Sequence, residues 1–255
     1  AIACGLNGWW KGSEAMKAIE DADPKLIVAD QKRFDRISGD PMHPVLIFEE
    51  MDIANQSEMI DSFIRLDEDE CACLLYTSGT TGAPKGVMTS HRSMIANSTL
   101  SMLQGAAVSQ DSSSKGIDWG KHKPTSLLTS PLFHVSGLSA GVVTSLFAGS
   151  TTLLYAGKFS AHKILELIDK FNVTSWGGAV PTALKRVLDA ANETNISLPS
   201  VLVVGGGGAP MPPALIERTK EVFPSSKYSF GYGYGLTESG AITIINWGEN
   251  LNSNP

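Results

Sequence analysis

The chain has 255 residues, 42% of them hydrophobic and 18% charged, enough for a large core and up to two subdomains. A net charge of −6 argues against a general binder of nucleic acid or of an acidic membrane surface, though one locally positive loop could still hold an anionic small molecule. Cys4, Cys71 and Cys73 are too sparse for a disulfide framework and, with no histidine cluster beside them, for a zinc site; they fit a reducing, cytoplasmic setting.

Strands and helices alternate along the chain. A helix is predicted over about 13–22 and a short strand over KLIVAD (25–30). The acidic run Asp67, Glu68, Asp69 and Glu70 reads as a solvated face. CACLLYTS (71–78) is an apolar strand on which Cys71 and Cys73 share a face, and KGVMTS (85–90) is a second strand. Ser90 is placed to cap a helix from His91 to about Leu103. The polar stretch 109–124 reads as a surface loop or insertion. From Ser126 to Gly157 there is no Asp, Glu, Lys or Arg, a length that could span a bilayer. Pro131, Gly137 and Gly149 instead divide it into a strand, a helical segment near 137–148 and a strand over 151–156, so no transmembrane segment is expected. Ser160 caps the next helix, whose inner face is Ile164, Leu165, Leu167, Ile168 and Phe171. VTSWGGA (173–179) is a strand, and the helix after Pro181 buries Leu184, Val187, Leu188 and Ala191. SVLVVGGGG (200–208) is a strand ending in glycines. The helix after it carries Pro212 and Pro213 in its first turn and buries Leu215, Ile216, Val222 and Phe223.

This rhythm predicts an α/β fold of largely parallel sheets flanked by helices on both faces, in three αβα layers. Such sheets bind ligands at the C-terminal ends of their strands. The glycine-rich segments 78–86, 205–210 and 231–235 follow apolar strands and are expected to gather along one edge.

The segment YTSGTTGAPKG (76–86) has the chemistry of a phosphate holder. Glycines and short hydroxyl side chains let backbone N–H groups converge on an anion, and Lys85 adds a point charge. It is not a Walker A loop, because Gly82 is followed by Ala83, Pro84, Lys85 and Gly86. The dinucleotide fingerprint fails at Gly205–Pro210 and again at Gly233–Glu238.

YTSGTTGAPKGV (76–87) resembles the signature loop of the acyl-adenylate-forming superfamily, the AMP-dependent synthetases and ligases. SPLFHVSG (130–137), GGAP (207–210) and GYGLTES (233–239) resemble its next motifs in the right order, and NGWW (7–10) is similar to an early segment of fatty acyl-CoA ligases. The resemblance implies a two-step reaction: ATP activates a carboxylic acid, here a fatty acid, to acyl-AMP, and coenzyme A then takes the acyl group. It assigns Thr77, Ser78, Gly79, Thr80, Thr81 and Gly82, with Lys85, to the β and γ phosphates. It sets Tyr234 on one side of adenine and the turn Gly208, Ala209 and Pro210 on the other. Thr237 approaches the α-phosphate, and Glu238 binds Mg2+. His134 matches a gate of the acyl and pantetheine channel, though a structural, hydrogen-bonded role stays open. Amino-acid-activating relatives usually carry Asp after the motif phenylalanine; here Phe133 is followed by His134, which favours a plain acid. Trp176, Gly177, Gly178, Val180 and Gly205 are candidates for the acyl-pocket wall.

The sequence starts mid-pattern and stops after a loop-like stretch. It is therefore expected to be part of a large AMP-binding domain over 1–255, without the small C-terminal domain of the family, and inactive alone. Three alternatives remain: an aryl-acid ligase, a ligase that loads a carrier protein, and a non-catalytic acyl- or nucleotide-binding module. No nucleic-acid partner is expected, and peripheral membrane contact stays open.

Overall fold

In a computed structural model, which describes residues 1–37, 42–51, 64–77 and 84–248, the chain divides into two units, Ala1–Arg92 and Ser93–Pro255. The first unit runs β1 (Ala3–Gly5), α1 (Gly12–Ala22), β2 (Ile27–Ala29), α2 (Gln31–Phe34), β3 (Val45–Ile47), β4 (Cys71–Thr77) and β5 (Lys85–Ser90). β4 is the centre of a three-stranded sheet, parallel to β1 and antiparallel to β5, while β2 and β3 form a separate parallel pair. Tyr76 ties β4 to α1: its hydroxyl lies 2.7 Å from the Asp21 carboxylate and 3.1 Å from the Ala18 carbonyl, with Trp10 edge-on to its ring. Burial and the bond to Asp21 push the Tyr76 phenol well above its ordinary range, so it stays a donor.

The acidic run does more than face solvent. Glu68 and Asp69 hold the Arg92 guanidinium at 2.6 and 2.7 Å. The Glu68 and Glu70 carbonyls accept the N–H groups of Arg92 and His91 at 2.7 and 3.2 Å. Those N–H groups open the helix α3 (His91–Ser114) and have no partner within it. The β4–β5 register shifts between Cys71 and Cys73, and of the two only Cys73 is fully buried, so a shared face does not give them a shared environment. Burial pushes the Cys4 and Cys73 thiols up, which makes neither a poised nucleophile.

The second unit continues from α3 with β6 (Thr125–Leu128), α4 (Val135–Gly137), a π-helical stretch (Leu138–Val143), α5 (Thr144–Phe147) and β7 (Thr151–Leu154). It ends with α6 (Ala161–Lys170), β8 (Ser175–Ala179), α7 (Pro181–Thr194), β9 (Val203–Gly207), α8 (Pro213–Val222), β10 (Gly231–Leu236) and β11 (Ala241–Trp247). The strands form one sheet in the order β11-β10-β9-β8-β6-β7, parallel except for β11. Helices flank it, and among the described residues no helix is long and apolar enough to cross a membrane.

Three expectations need correction. α3 reaches Ser114, eleven residues past the predicted Leu103, because its serines find partners: Ser112 and Ser114 donate to the Val108 and Asp111 carbonyls, and the Trp119 indole donates to Ser112. Phe171 follows the last turn of α6 and is exposed, while Ile164, Leu165 and Ile168 make the buried face under the Ser160 cap. Only two of the three glycine-rich segments meet in one sheet, 205–210 over the end of β9 and the turn after it and 231–235 within β10; β4 and β5, which flank the third, belong to the small sheet of the first unit.

The large sheet has two unlike faces. Alternate residues Leu127, Trp176, Val204 and Phe230 are buried in the core with α6, α7 and α8. The positions between them are Ser126, Leu128, Ser175, Gly177, Val203, Gly205, Gly231 and Gly233, mostly small residues, so the opposite face carries few large side chains. Gly137 lets the helical segment fold back tightly on the loop that follows β6: a Cβ there would overlap the Pro131 carbonyl oxygen. At Gly105, inside α3, a Cβ would meet nothing within 4 Å. Opposite effects are expected from one methyl group. Gly137→Ala should destabilise the protein by about 1–3 kcal/mol through overpacking, and Gly105→Ala should stabilise it by about 0.5–1 kcal/mol through helix propensity. Urea unfolding of the two variants checks both signs.

Candidate functional site

A cavity of about 400 Å³ opens on the bare face, a size usual for small-molecule sites. Its floor is Gly177, Gly205, Gly207 and Gly233; its roof is the helical segment that begins at His134. It lies at the C-terminal ends of β6, β8, β9 and β10. Of the proposed acyl wall, Gly177, Gly178, Val180 and Gly205 line it, and Trp176 does not. Trp176 is fully buried on the other face, where its indole donates to the Thr129 hydroxyl at 3.1 Å and its ring meets Phe223 edge-on. The sequence named the right strand but the wrong face at that residue.

His134 caps the start of α4. Its Nδ1 accepts the Ser136 N–H at 3.2 Å and lies 2.9 Å from the Ser136 hydroxyl. A backbone N–H can only donate, so neutral His134 carries its proton on Nε2. Burial lowers its pKa below the ordinary value. Both a structural cap and a cavity wall are thus present in one side chain.

Two turns complete the same edge. After β9, Gly208 adopts φ +79°, a conformation that favours glycine, and starts the turn that continues through Ala209 and Pro210. The Tyr232 hydroxyl donates to the Ala209 carbonyl at 2.7 Å and holds that turn against the core face. Tyr234 is two residues further along β10, so its exposed ring lies on the same face of the strand as Tyr232, while Gly208, where the turn starts, lines the cavity. Between β10 and β11 comes the turn that holds Thr237, buried, and Glu238, exposed. Ser239 fixes this turn: its Oγ lies 2.9 Å from the Leu236 carbonyl and accepts the Leu236 N–H at 3.1 Å. Tyr232 and Ser239 were missed from sequence, although the alternation of Gly231, Gly233 and Gly235 with two tyrosines was a readable signal for the faces.

In the first unit, Thr77 ends β4 and pairs across the ladder with Lys85, which is exposed and starts β5. Ser78, Gly79, Thr80, Thr81 and Gly82 lie outside the described residues. Among the described residues no three His, Cys, Asp or Glu side chains group to hold a metal. Glu238 is an exposed carboxylate, the donor type that suits a hard cation.

A glycine-floored cavity and two turns at one edge of a mostly parallel sheet define an α/β protein with a candidate ligand site. The chain belongs to the AMP-binding enzyme family, which it matches over residues 1–255. It is 30% identical to a 4-coumarate–CoA ligase of Pinus taeda over 96% of this chain and 45% of the relative. It is 33% identical to a peroxisomal OPC-8:0-CoA ligase of Arabidopsis thaliana over 95% of this chain and 44% of that one. Among solved structures it is similar to the o-succinylbenzoate coenzyme A synthetase of Bacillus subtilis in complex with ATP and magnesium ion, with TM-score 0.76, 27% identity, and coverage of 99% of this chain and 48% of the other. The chain therefore spans less than half the length of these relatives.

The neutral-histidine geometry has a pH signature. The folded-state pKa is depressed, so the stability of the neutral cap is present above the unfolded value of about 6.5 and is lost as pH falls through the folded value. Nitrogen-detected NMR of His134 should show the Nε2–H tautomer at neutral pH and a titration midpoint below that of free histidine; His134→Ala should remove that part of the acid destabilisation.

Proposed function

We propose that the protein activates a carboxylic acid with ATP and transfers it to coenzyme A. The observation that carries this is the arrangement of the sheet edge: the glycine-floored cavity, the turn that starts at its wall residue Gly208 and is fastened by Tyr232, the exposed Tyr234 on β10, and Thr237 and Glu238 in the turn after β10. The acid lies over the glycine floor. Adenine lies between the Tyr234 ring and the turn after Gly208, where a flat base finds a ring and a peptide surface. A carboxylate oxygen attacks the α-phosphorus of ATP, the bond from that phosphorus to the bridging oxygen breaks, and pyrophosphate leaves with the electron pair. The coenzyme A sulfur, its proton lost, then attacks the acyl carbonyl carbon, and AMP leaves.

Each residue has a part in that scheme. Thr77 through Gly82, with Lys85, hold the β and γ phosphates and stabilise the leaving charge. Thr237 meets the α-phosphate. Glu238 would hold Mg2+, which when bound neutralises phosphate charge. His134 walls the acid channel with its Nε2–H, its other nitrogen being committed to the cap. Two readings of the acid stand side by side. The likeness to a fatty acyl-CoA ligase in the early NGWW segment supports a fatty acid; the 4-coumarate ligase relative supports an aryl acid equally well. A non-catalytic binding module is the competing class. The sparse free cysteines support a reducing, cytoplasmic compartment. We further propose that the chain is part of a large AMP-binding domain. Acyl-CoA formation by these 255 residues alone is not expected, since they span less than half of the relatives' length.

Carboxylate-dependent ATP–pyrophosphate exchange, assayed on the complete reading frame that contains this chain, tests the reading. Lys85→Ala and Glu238→Ala should each lower exchange by on the order of 10²-fold without loss of fold by circular dichroism. Unchanged exchange in both would remove the assigned roles, and no exchange with any fatty or aryl acid in a folded protein would leave the binding module.

A further inference from the structure

The cavity at the strand ends is not the end of the bare face. A second cavity, of about 370 Å³, lies between the sheet and α3 and shares Ser126, Ala140, Ser175, Gly205, Ile242 and Ile245 with the first. From Leu202 to Gly208, β9 and its flanking residues pass beneath both, a run of about 20 Å at about 3.3 Å per residue. The α3 wall is Ser101, Gln104, Gly105 and Val108, the spacing of one helix face. Gly105 on that face leaves open space although a glycine inside a helix costs stability. Gln104 and His122 also line the second cavity, and among the described residues their side chains make no protein hydrogen bond.

We propose that the two cavities are one acid site, so that the preferred substrate is an elongated carboxylic acid with a hydrogen-bonding group at its far end. This rests on the acid-activating reading above. An extended chain spans about 1.2 Å per bond, so the floor accommodates an acid of on the order of fifteen chain bonds. Its carboxylate lies at the strand ends near His134, and its distal group meets Gln104 and His122. A short acid fills only the first cavity. A plain alkyl end would reach the second but strip water from two polar side chains and leave them without partners.

The test uses the complete reading frame that contains this chain and two readouts. Binding is followed by tryptophan fluorescence, since Trp119 and Trp247 line the second cavity; activation is followed by pyrophosphate exchange. The probes are ω-hydroxy acids of about six and about fifteen carbons and the plain alkanoic acid of the longer length. The long hydroxy acid should bind at least about tenfold more tightly than the short one, and Gly105→Phe, which fills the second cavity from α3, should abolish that ratio. Gly105→Ala is the folding control and should largely keep it. Gln104→Leu should erase the preference for the hydroxyl end over the alkyl end. Equal binding of long and short acids, or an unchanged ratio in Gly105→Phe, overturns the inference. If no acid supports exchange while fluorescence still separates long from short, the activation reading falls and the elongated acid site stands.

Discussion

The rest of the second unit depends on one constraint: the large sheet must be crowded on one side and empty on the other. Period-two alternation makes this available to any strand. Here three neighbouring strands use it in phase. Trp176, Val204 and Phe230 fill the core against α6, α7 and α8, while Gly177, Gly205 and Gly233 leave the facing surface to backbone. Burying the large residues stabilises the sheet; omitting side chains opposite them leaves a cavity without a lid or hinge to make it. A register slip of one residue on any of these strands would put a tryptophan, valine or phenylalanine into the site and glycines into the core.

That division also separates the parts of the proposed reaction. The proposal puts the acid on the bare face and the base against Tyr234 and the Gly208–Pro210 turn, which starts at the cavity wall and is fastened by Tyr232. Both meet at the C-terminal ends of the strands. Thr237 and Glu238 are in the turn there, and Ser239 keeps that turn in shape through its bonds to Leu236. The proposed proximity of acid and α-phosphate rests on this geometry of the sheet edge.

Much of this was legible in the sequence. The order of strands and helices, the inward faces of α7 and α8, and the Ser160 cap follow from apolar spacing and capping chemistry that act within a few residues. The candidate turns were legible as motifs. What was not legible depended on partners distant in sequence. α3 runs through a serine-rich stretch because Trp119 and the helix's own carbonyls satisfy its hydroxyls. Trp176 reads as a pocket residue until β8 is given a register. Glu68 and Asp69 read as solvated charge until Arg92 is folded back onto them. Tyr232 has no motif of its own; its role appears only when β9 and β10 are neighbours.

The most direct measurement is a crystal structure of the protein with a non-hydrolysable acyl-adenylate analogue. The account predicts the acyl chain over Gly205 and Gly233 beneath the His134 segment, and the adenine between Tyr234 and the Gly208–Pro210 turn. Adenine bound away from Tyr234 and that turn, or an acyl chain lying outside the glycine floor, would contradict it.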